Sequence, residues 1–188
     1  MIRIIAGDYK GFTLKVPAGP TRPTASLVRG AIMSMAGAKI EGARVLDPMA
    51  GSGALALEAL SRGAASLVLA DRSPKALMAL KSNVTRLGPR AVNQVKILKA
   101  SQLKDFSLLA PHGPFDLILL APPYAEIALP IQFLLKVASV GLAAPEALAI
   151  WEQAAKSLAA WSPQDLAPWR VVDSRSWGLR AAAFATLD

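Results

Sequence analysis

Apolar and polar positions follow two regimes along the chain, with the change near Arg44. Before it, Arg3-Ile4-Ile5-Ala6 and Phe12-Thr13-Leu14-Lys15-Val16 are short strand-like runs. The turn-forming Gly7-Asp8-Tyr9-Lys10-Gly11 separates them, which predicts a β-hairpin. Residues 17–24 are too rich in proline and glycine for regular structure. Thr24 is suited to cap a helix reaching about Ala36, with Leu27, Val28, Ala31, Ile32 and Met35 on its apolar face. From Arg44 onward, strand patterns at 44–47, 66–71, 93–98, 115–120 and 146–152 alternate with helical patterns at 53–62, 74–87 and 130–140, and a weaker one near 102–109. Ser73-Pro74 opens the second of these helices with a cap and a proline at the first helical position. Gly141 or Pro145 ends the helix at 130–140. The tail reads as two strands, 170–173 and 179–187, around a turn at 174–178. Alternation of this kind predicts an α/β fold, a mostly parallel sheet with helices on both faces.

Composition narrows the class. A chain of 188 residues holds one sizeable core, and 53% hydrophobic with 18% charged residues makes it globular rather than disordered. There is no cysteine, which excludes disulfides, thiolate catalysis and cysteine-bound metals and suits a reducing cytosol. The only histidine, His112, sits in a loop without the partners that metal or triad chemistry needs, so no metal site is expected. No run approaches the roughly 18 apolar residues of a spanning helix. The apolar N-terminus is too short for a signal peptide, and Asp8 interrupts it. The expectation is a cytoplasmic protein with no membrane partner.

The formal net charge of +8 favours a polyanionic partner. Up to Arg44 the basic residues are Arg3, Lys10, Lys15, Arg22, Arg29, Lys39 and Arg44, against Asp8 and Glu41 alone. With Tyr9 and Phe12 interleaved, the hairpin and following loop suit a nucleic-acid backbone with some stacking. A solvated basic face would look the same.

Two stretches carry candidate chemistry. Val45-Leu46-Asp47-Pro48-Met49-Ala50-Gly51-Ser52-Gly53, followed by an apolar helical run, reads as a strand end, a tight turn and a helix start. Glycines let such a turn bring backbone close to a ligand, and the first N–H groups of the helix are available to it. Asp47 at the strand end can meet a cationic or hydroxyl-bearing group. Asp71 ends the next strand twenty residues after Gly51, the spacing at which such folds bind ribose hydroxyls. A plain strand–helix turn capped by Asp47 remains the alternative. The second stretch is the apolar strand ending in Ala121-Pro122-Pro123-Tyr124. Its prolines fix φ and lack N–H groups, so the turn is rigid and presents carbonyls. A planar base can stack on Tyr124 while its exocyclic amine donates to the carbonyl of Ala121 or Pro122. A strand terminator with a packing tyrosine is the bland alternative.

Taken together in order, these motifs resemble the bacterial RsmD family of class I S-adenosylmethionine-dependent methyltransferases. The resemblance rests on Arg3-Ile4-Ile5-Ala6-Gly7 with Tyr9-Lys10-Gly11, and on Leu14-Lys15-Val16-Pro17. It continues through Thr21-Arg22-Pro23-Thr24 with Val28-Arg29, Ala50-Gly51-Ser52-Gly53-Ala54-Leu55 through Ala64, and Glu146-Ala147-Leu148 through Glu152. It implies a Rossmann-like methyltransferase fold with a seven-stranded, mostly parallel sheet, an antiparallel C-terminal strand and an N-terminal β-hairpin extension. The expected division is 1–43 for an RNA-binding extension and 44–188 for the methyltransferase domain. S-adenosylmethionine would be held by Asp47, Ala50, Gly51, Ser52, Gly53, Asp71, Arg72, Ser101 and Gln102. The catalytic turn would be Ala121, Pro122, Pro123 and Tyr124, and Arg3, Lys10, Arg22 and Arg29 would contact RNA phosphates. The implied reaction is methylation of the N2 amine of a guanine in small-subunit ribosomal RNA, by a monomer acting on the RNA or the assembling subunit.

Three positions depart from the family pattern. Ala121 stands where an Asp, or in related enzymes an Asn, precedes Pro-Pro-Tyr. Ser73 and Ser101 stand where the family has acidic residues near the cofactor. Ala121 has no side chain to receive the target amine. The rival reading is therefore a catalytically impaired RNA-binding or ribosome-assembly protein that retains the fold. A DNA adenine or cytosine amino-methyltransferase ranks below both, because the N-terminal match is to the ribosomal RNA enzymes.

Overall fold

The computed structural model describes residues 2–17, 26–101, 105–122, 126–158 and 163–188. The chain begins with β1 (Ile2–Arg3) and β2 (Thr13–Leu14), paired antiparallel, and α1 (Ser26–Ala36). The alternating region follows as β3 (Arg44–Asp47), α2 (Ala54–Ser61), β4 (Ser66–Asp71), α3 (Pro74–Leu87), α4 (Pro89–Gln94), β5 (Val95–Lys99), β6 (Phe115–Leu120) and α5 (Leu129–Ser139). It ends with β7 (Ala143–Ala154), α6 (Ala155–Leu158), β8 (Trp169–Trp177) and β9 (Arg180–Leu187). The seven main strands are ordered β5-β4-β3-β6-β7-β9-β8. All neighbours from β5 to β7 are parallel, and β9 is antiparallel to both β7 and β8. The expected seven-stranded sheet with one antiparallel C-terminal strand is therefore present. The strand order reverses between β3 and β6, so the loops leaving their carboxyl ends diverge and open the crevice where α/β sheets bind ligands.

The central strands read as continuous apolar runs because both faces are covered. On one face Val45, Leu67, Leu69, Leu117 and Leu119 pack with side chains of α1, α2 and α3. On the other, Leu46, Val68, Ile118 and Leu120 pack with Ile131, Leu134 and Val137 of α5. Ile4, Leu14, Val28, Ile32 and Met33 belong to the first of these clusters. The N-terminal extension thus shares the core of the sheet.

Buried polar groups fix that junction. Glu58, in the middle of α2, is 0% exposed. Its carboxylate accepts the N–H groups of Ile5 at 2.8 Å and Ala6 at 3.1 Å. It also pairs with Arg29 at 3.6 Å and with Arg62 at 3.0 Å. One turn on, Ser61 accepts the N–H of Tyr9 on its hydroxyl at 2.9 Å, and its carbonyl accepts the N–H of Asp8 at 2.8 Å. Gly7, at φ 81°, lies so close that a Cβ there would fall 1.6 Å from the Ser61 carbonyl oxygen. Only glycine permits this approach.

The same contacts explain why the hairpin strands are shorter than expected. Ile5 and Ala6 give their N–H groups to Glu58 instead of to a partner strand. Other elements shift for local reasons. Pro89 restarts a helix, so the strand expected at 93–98 begins at Val95. No α-helix occupies 105–109; Phe106–Leu108 is one tight 3-10 turn capped by Asp105, and residues 102–104 lie outside the described set. Gly141, at φ 69°, ends α5, and β7 starts before Pro145. There the pairing with β6 slips between Phe115 and Leu117, where a proline N–H is missing and Glu146 takes φ 55°. The turn expected at 174–178 is not where the chain reverses. Residues 174–177 pair within β8, and the reversal is the two-residue loop Gly178-Leu179, with Gly178 at φ 62°. Thr24, the expected cap of α1, lies outside the described residues, and α1 is described from Ser26.

Removing the Glu58 carboxylate leaves buried donors and a guanidinium without their acceptor. Glu58→Ala is expected to lower unfolding stability by about 3–5 kcal/mol, read from denaturant midpoints. An unchanged midpoint would show that the hairpin docks without it.

Candidate active site

The first half of the site is the turn between β3 and α2. Asp47 ends β3 with 2% exposure. Its carboxylate accepts the N–H of Met49 at 3.2 Å. Burial pushes its pKa up to about 7, the nearby charge of Asp71 adds to the rise, and the Met49 N–H opposes it. A buried carboxyl so placed gains from a cationic partner. Asp71 ends the neighbouring strand and joins two loops. One oxygen accepts the N–H of Gly51 at 2.8 Å, the other the N–H of Ser73 at 2.8 Å. The Ala50 N–H donates to the Ala70 carbonyl at 2.9 Å, closing the turn against β4.

The two glycines differ in purpose. A Cβ on Gly53, at φ 79°, would stand 2.8 Å from Leu80 and 3.1 Å from Leu57, so this glycine is demanded by packing under α2. Gly51, at φ 56°, would place a Cβ with nothing within 4 Å. Its outer face is open, as a turn that cradles a ligand requires. An open glycine face beside a buried carboxyl fits a small polar ligand that carries a positive charge. Asp71 keeps acceptor capacity beyond its two backbone bonds, since an ionised carboxylate accepts about four hydrogen bonds.

The other expected cofactor residues divide. Ala50 and Ser52 are buried in the turn. Ser101 is exposed after β5. Arg72, exposed, donates to Glu126 at 2.7 Å and so reaches across to the segment that follows the β6 turn. Gln102 lies outside the described residues. On the substrate side, Ala121 is half-buried against the α1–α2 face of the core and Pro122 is buried. Pro123 and Tyr124 lie outside the described residues, as does Arg22. Arg3 and Lys10 are exposed on the hairpin.

One expectation is overturned. Arg29, expected on phosphate, is 1% exposed and donates to the Arg3 carbonyl at 2.5 Å while pairing with Glu58. A guanidinium enclosed in this way cannot reach an external phosphate. Its charge serves the junction of hairpin and α2.

Several residues of consequence escaped the sequence reading. Asn83, 0% exposed, accepts the Lys15 N–H at 2.8 Å and donates to the Lys15 carbonyl at 2.9 Å. The same amide donates to the Ser52 carbonyl at 3.0 Å. It therefore ties the end of the hairpin to the glycine turn. Arg86 lies 4.8 Å from the centre of the Phe12 ring and donates to the Thr13 carbonyl at 3.1 Å. Glu58 and Asn83 shared one legible signal. Each is a polar residue at a position where helical periodicity demands an apolar one.

A parallel sheet in this order, closed by one antiparallel strand, with a glycine turn after its first strand and acids at the ends of the first two, defines the Rossmann-like class I methyltransferase fold. The comparisons with known proteins agree. A family model described as "Conserved hypothetical protein 95" matches residues 2–186. The chain belongs to this family, the RsmD family of methyltransferases. It is 40% identical over 126 residues to YlbH of Bacillus subtilis, provisionally named an rRNA methyltransferase, covering 66% of this chain and 68% of YlbH. It is 35% identical over 125 residues to the Ribosomal RNA small subunit methyltransferase D of Escherichia coli K12, covering 65% of this chain and 60% of that protein. A solved Escherichia coli structure, provisionally named methyltransferase yhhF, superposes with a TM-score of 0.81 at 30% identity, covering 100% of this chain and 98% of that one.

The raised pKa of Asp47 has a stability consequence. Between its ordinary value of 3.8 and about 7, the folded chain keeps a proton that the unfolded chain has released. Folding stability from this group is therefore full at the acidic end and falls as pH rises, by about 1.4 kcal/mol per unit. Subtracting the Asp47→Asn profile from the unmutated one, in denaturant titrations from pH 4.5 to 8, is expected to leave that slope. A flat difference would show that Asp47 ionises as freely as in water.

Proposed function

We propose that this chain transfers a methyl group from S-adenosylmethionine to the exocyclic N2 amine of a guanine in small-subunit ribosomal RNA. The observation that carries the reading is the match of the family model to residues 2–186, together with a buried Asp47 beside the open turn at Gly51. When bound, the cofactor supplies a methyl carbon on a cationic sulfur, which keeps the electron pair of the breaking C–S bond as the amine nitrogen takes the carbon and one amine proton goes to water.

The residues of the chain divide this work. The turn at 51–53 holds the methionine end, and Asp47 faces its ammonium group. Asp71 receives ribose hydroxyls on the acceptor capacity that Gly51 and Ser73 leave. Arg72, Ser101 and Gln102 border the remainder. Tyr124 is the residue to stack on the guanine, with the carbonyls of Ala121 and Pro122 as acceptors for the amine. Arg3, Lys10 and Arg22 take phosphates, with the RNA or the assembling subunit as partner in the cytoplasm. Because both reactants are held in place, in-line alignment provides most of the acceleration. A second reading rests on Ala121, which lacks a side-chain acceptor: an RNA-binding protein that keeps the fold without turnover.

Two measurements test this. Labelled S-adenosylmethionine with under-methylated small subunits is expected to yield N2-methylguanine on nucleoside digestion. Binding without any methylated guanine, even at high protein concentration, would favour the second reading. In calorimetry, cofactor affinity is expected to fall about tenfold per pH unit below the Asp47 value of about 7, because the ammonium group binds the ionised carboxylate. Affinity independent of pH between 5.5 and 7 would remove Asp47 from the amino-group contact.

A further inference from the structure

Two charges are withdrawn from water at the carboxyl edge of the sheet, outside the cofactor half. Glu152, near the end of β7, is 4% exposed. Arg180, opening β9, donates to it at 2.9 Å with its own side chain 19% exposed. Their place follows from the pairing of β6 with β7. Leu119 lies opposite Ile150 and Leu120 opposite Trp151. One further step along that register, past the end of β6, would bring Ala121 level with Glu152. Leu119 and Ile150 face the α1–α2 side of the core, whereas Leu120 and Trp151 face the α5 side. Strand alternation returns Ala121 and Glu152 to the α1–α2 side, where Ala121 packs. Val45 faces that side too, so the same alternation puts Asp47 there. Asp47 at the end of β3, Ala121 just past β6 and Glu152 near the end of β7 therefore lie on one face of the sheet, toward its carboxyl edge.

An exocyclic amine that is to be methylated needs an acceptor that turns its nitrogen toward the incoming carbon. At 121–122 the β6 turn offers backbone carbonyls alone. A buried ion pair is weak as a device for stability, since apolar residues of similar size often serve as well. Its presence at the ligand edge, one strand from the base-holding turn, points to use by the ligand. We propose, on the guanine-N2 reading given above, that Glu152 accepts the hydrogen bond of the target amine and that Arg180 holds the Glu152 carboxylate in position. A carboxylate accepts about four hydrogen bonds, so an amine can join the partners Glu152 already has. Ala121, carrying only a methyl group, leaves the base room to reach the neighbouring strand. The amine nitrogen gains one carbon and releases one proton to water, while the second N–H stays on Glu152. The carboxylate orients the nitrogen and is unchanged at the end of the cycle.

The test compares the unmutated chain, Glu152→Gln, Glu152→Ala and Glu152→Gln combined with Ala121→Asp. The readouts are methyl transfer to under-methylated small subunits, cofactor affinity by calorimetry, and melting temperature. Glu152→Gln is expected to lower kcat at least tenfold with cofactor affinity unchanged, in protein whose melting temperature stays above that of the assay. Adding Ala121→Asp to it is expected to restore most of that loss, because a carboxylate returns one strand away. A purely structural ion pair predicts no such rescue. Unaltered kcat in Glu152→Gln would overturn the proposal. So would a loss in both Glu152 variants that tracks a lower melting temperature and is not rescued by Ala121→Asp. If the unmutated chain transfers no methyl group to guanine, the functional reading itself fails and Glu152's role falls with it. Full transfer by both the unmutated chain and Glu152→Gln removes only the role of Glu152.

Discussion

The ligand side of this protein depends on one buried carboxylate. Glu58 sits at the middle of α2, the helix that starts at the glycine turn, and is fully enclosed. A charge in that position is tolerable only with several hydrogen-bonding partners and countercharges. The structure supplies two backbone N–H groups from the hairpin and two guanidinium groups, Arg29 and Arg62. The desolvation cost of Glu58 thereby fixes the hairpin to α2. Asn83 makes a second tie, from the end of the hairpin to the Ser52 carbonyl inside the glycine turn. The basic extension is therefore built into the wall of the site. A displacement of the hairpin would strain the turn between β3 and α2 and the helix that follows it.

Two acids at adjacent strand ends have separate tasks because their surroundings differ. Asp71 is drawn into the backbone, with one N–H on each oxygen, and shapes the turn. Asp47 accepts one N–H, from Met49, and burial raises its pKa toward neutrality. One acid braces the turn, and the other is a buried carboxyl of raised pKa, suited to the cationic group proposed for it. The same contrast separates the two arginines of the extension. Arg3 is exposed to solvent, whereas Arg29 is enclosed and pairs with Glu58. Nothing in their residue type distinguishes them.

Much of the fold was legible in the chain. The central strands are buried on both faces and therefore read as apolar runs with few interruptions. The helix at 74–87 carries its cap and its proline in the sequence, and it appears with those bounds. The turn at 51–53 is legible because glycines after a strand have few other uses. Less legible were features set by competition for backbone hydrogen bonds. The hairpin strands shorten because Glu58, more than fifty residues away, takes two of their N–H groups. The bulge in β7 comes from a proline meeting a strand whose pairing is decided by its neighbours.

By itself the sequence determined the α/β alternation, the glycine turn, Asp47 and Asp71, and the absence of a side-chain acceptor at Ala121. Each depends on residue type and local spacing, which a linear chain records. Only the tertiary structure decided that Arg29 is buried, that Asn83 reaches Ser52, that a Cβ at Gly51 would meet open space, and that Glu152 is buried against Arg180. Those facts depend on strand register and helix packing, which bring residues far apart in the chain into contact. Burial then determines whether a charge faces solvent, a ligand or another charge.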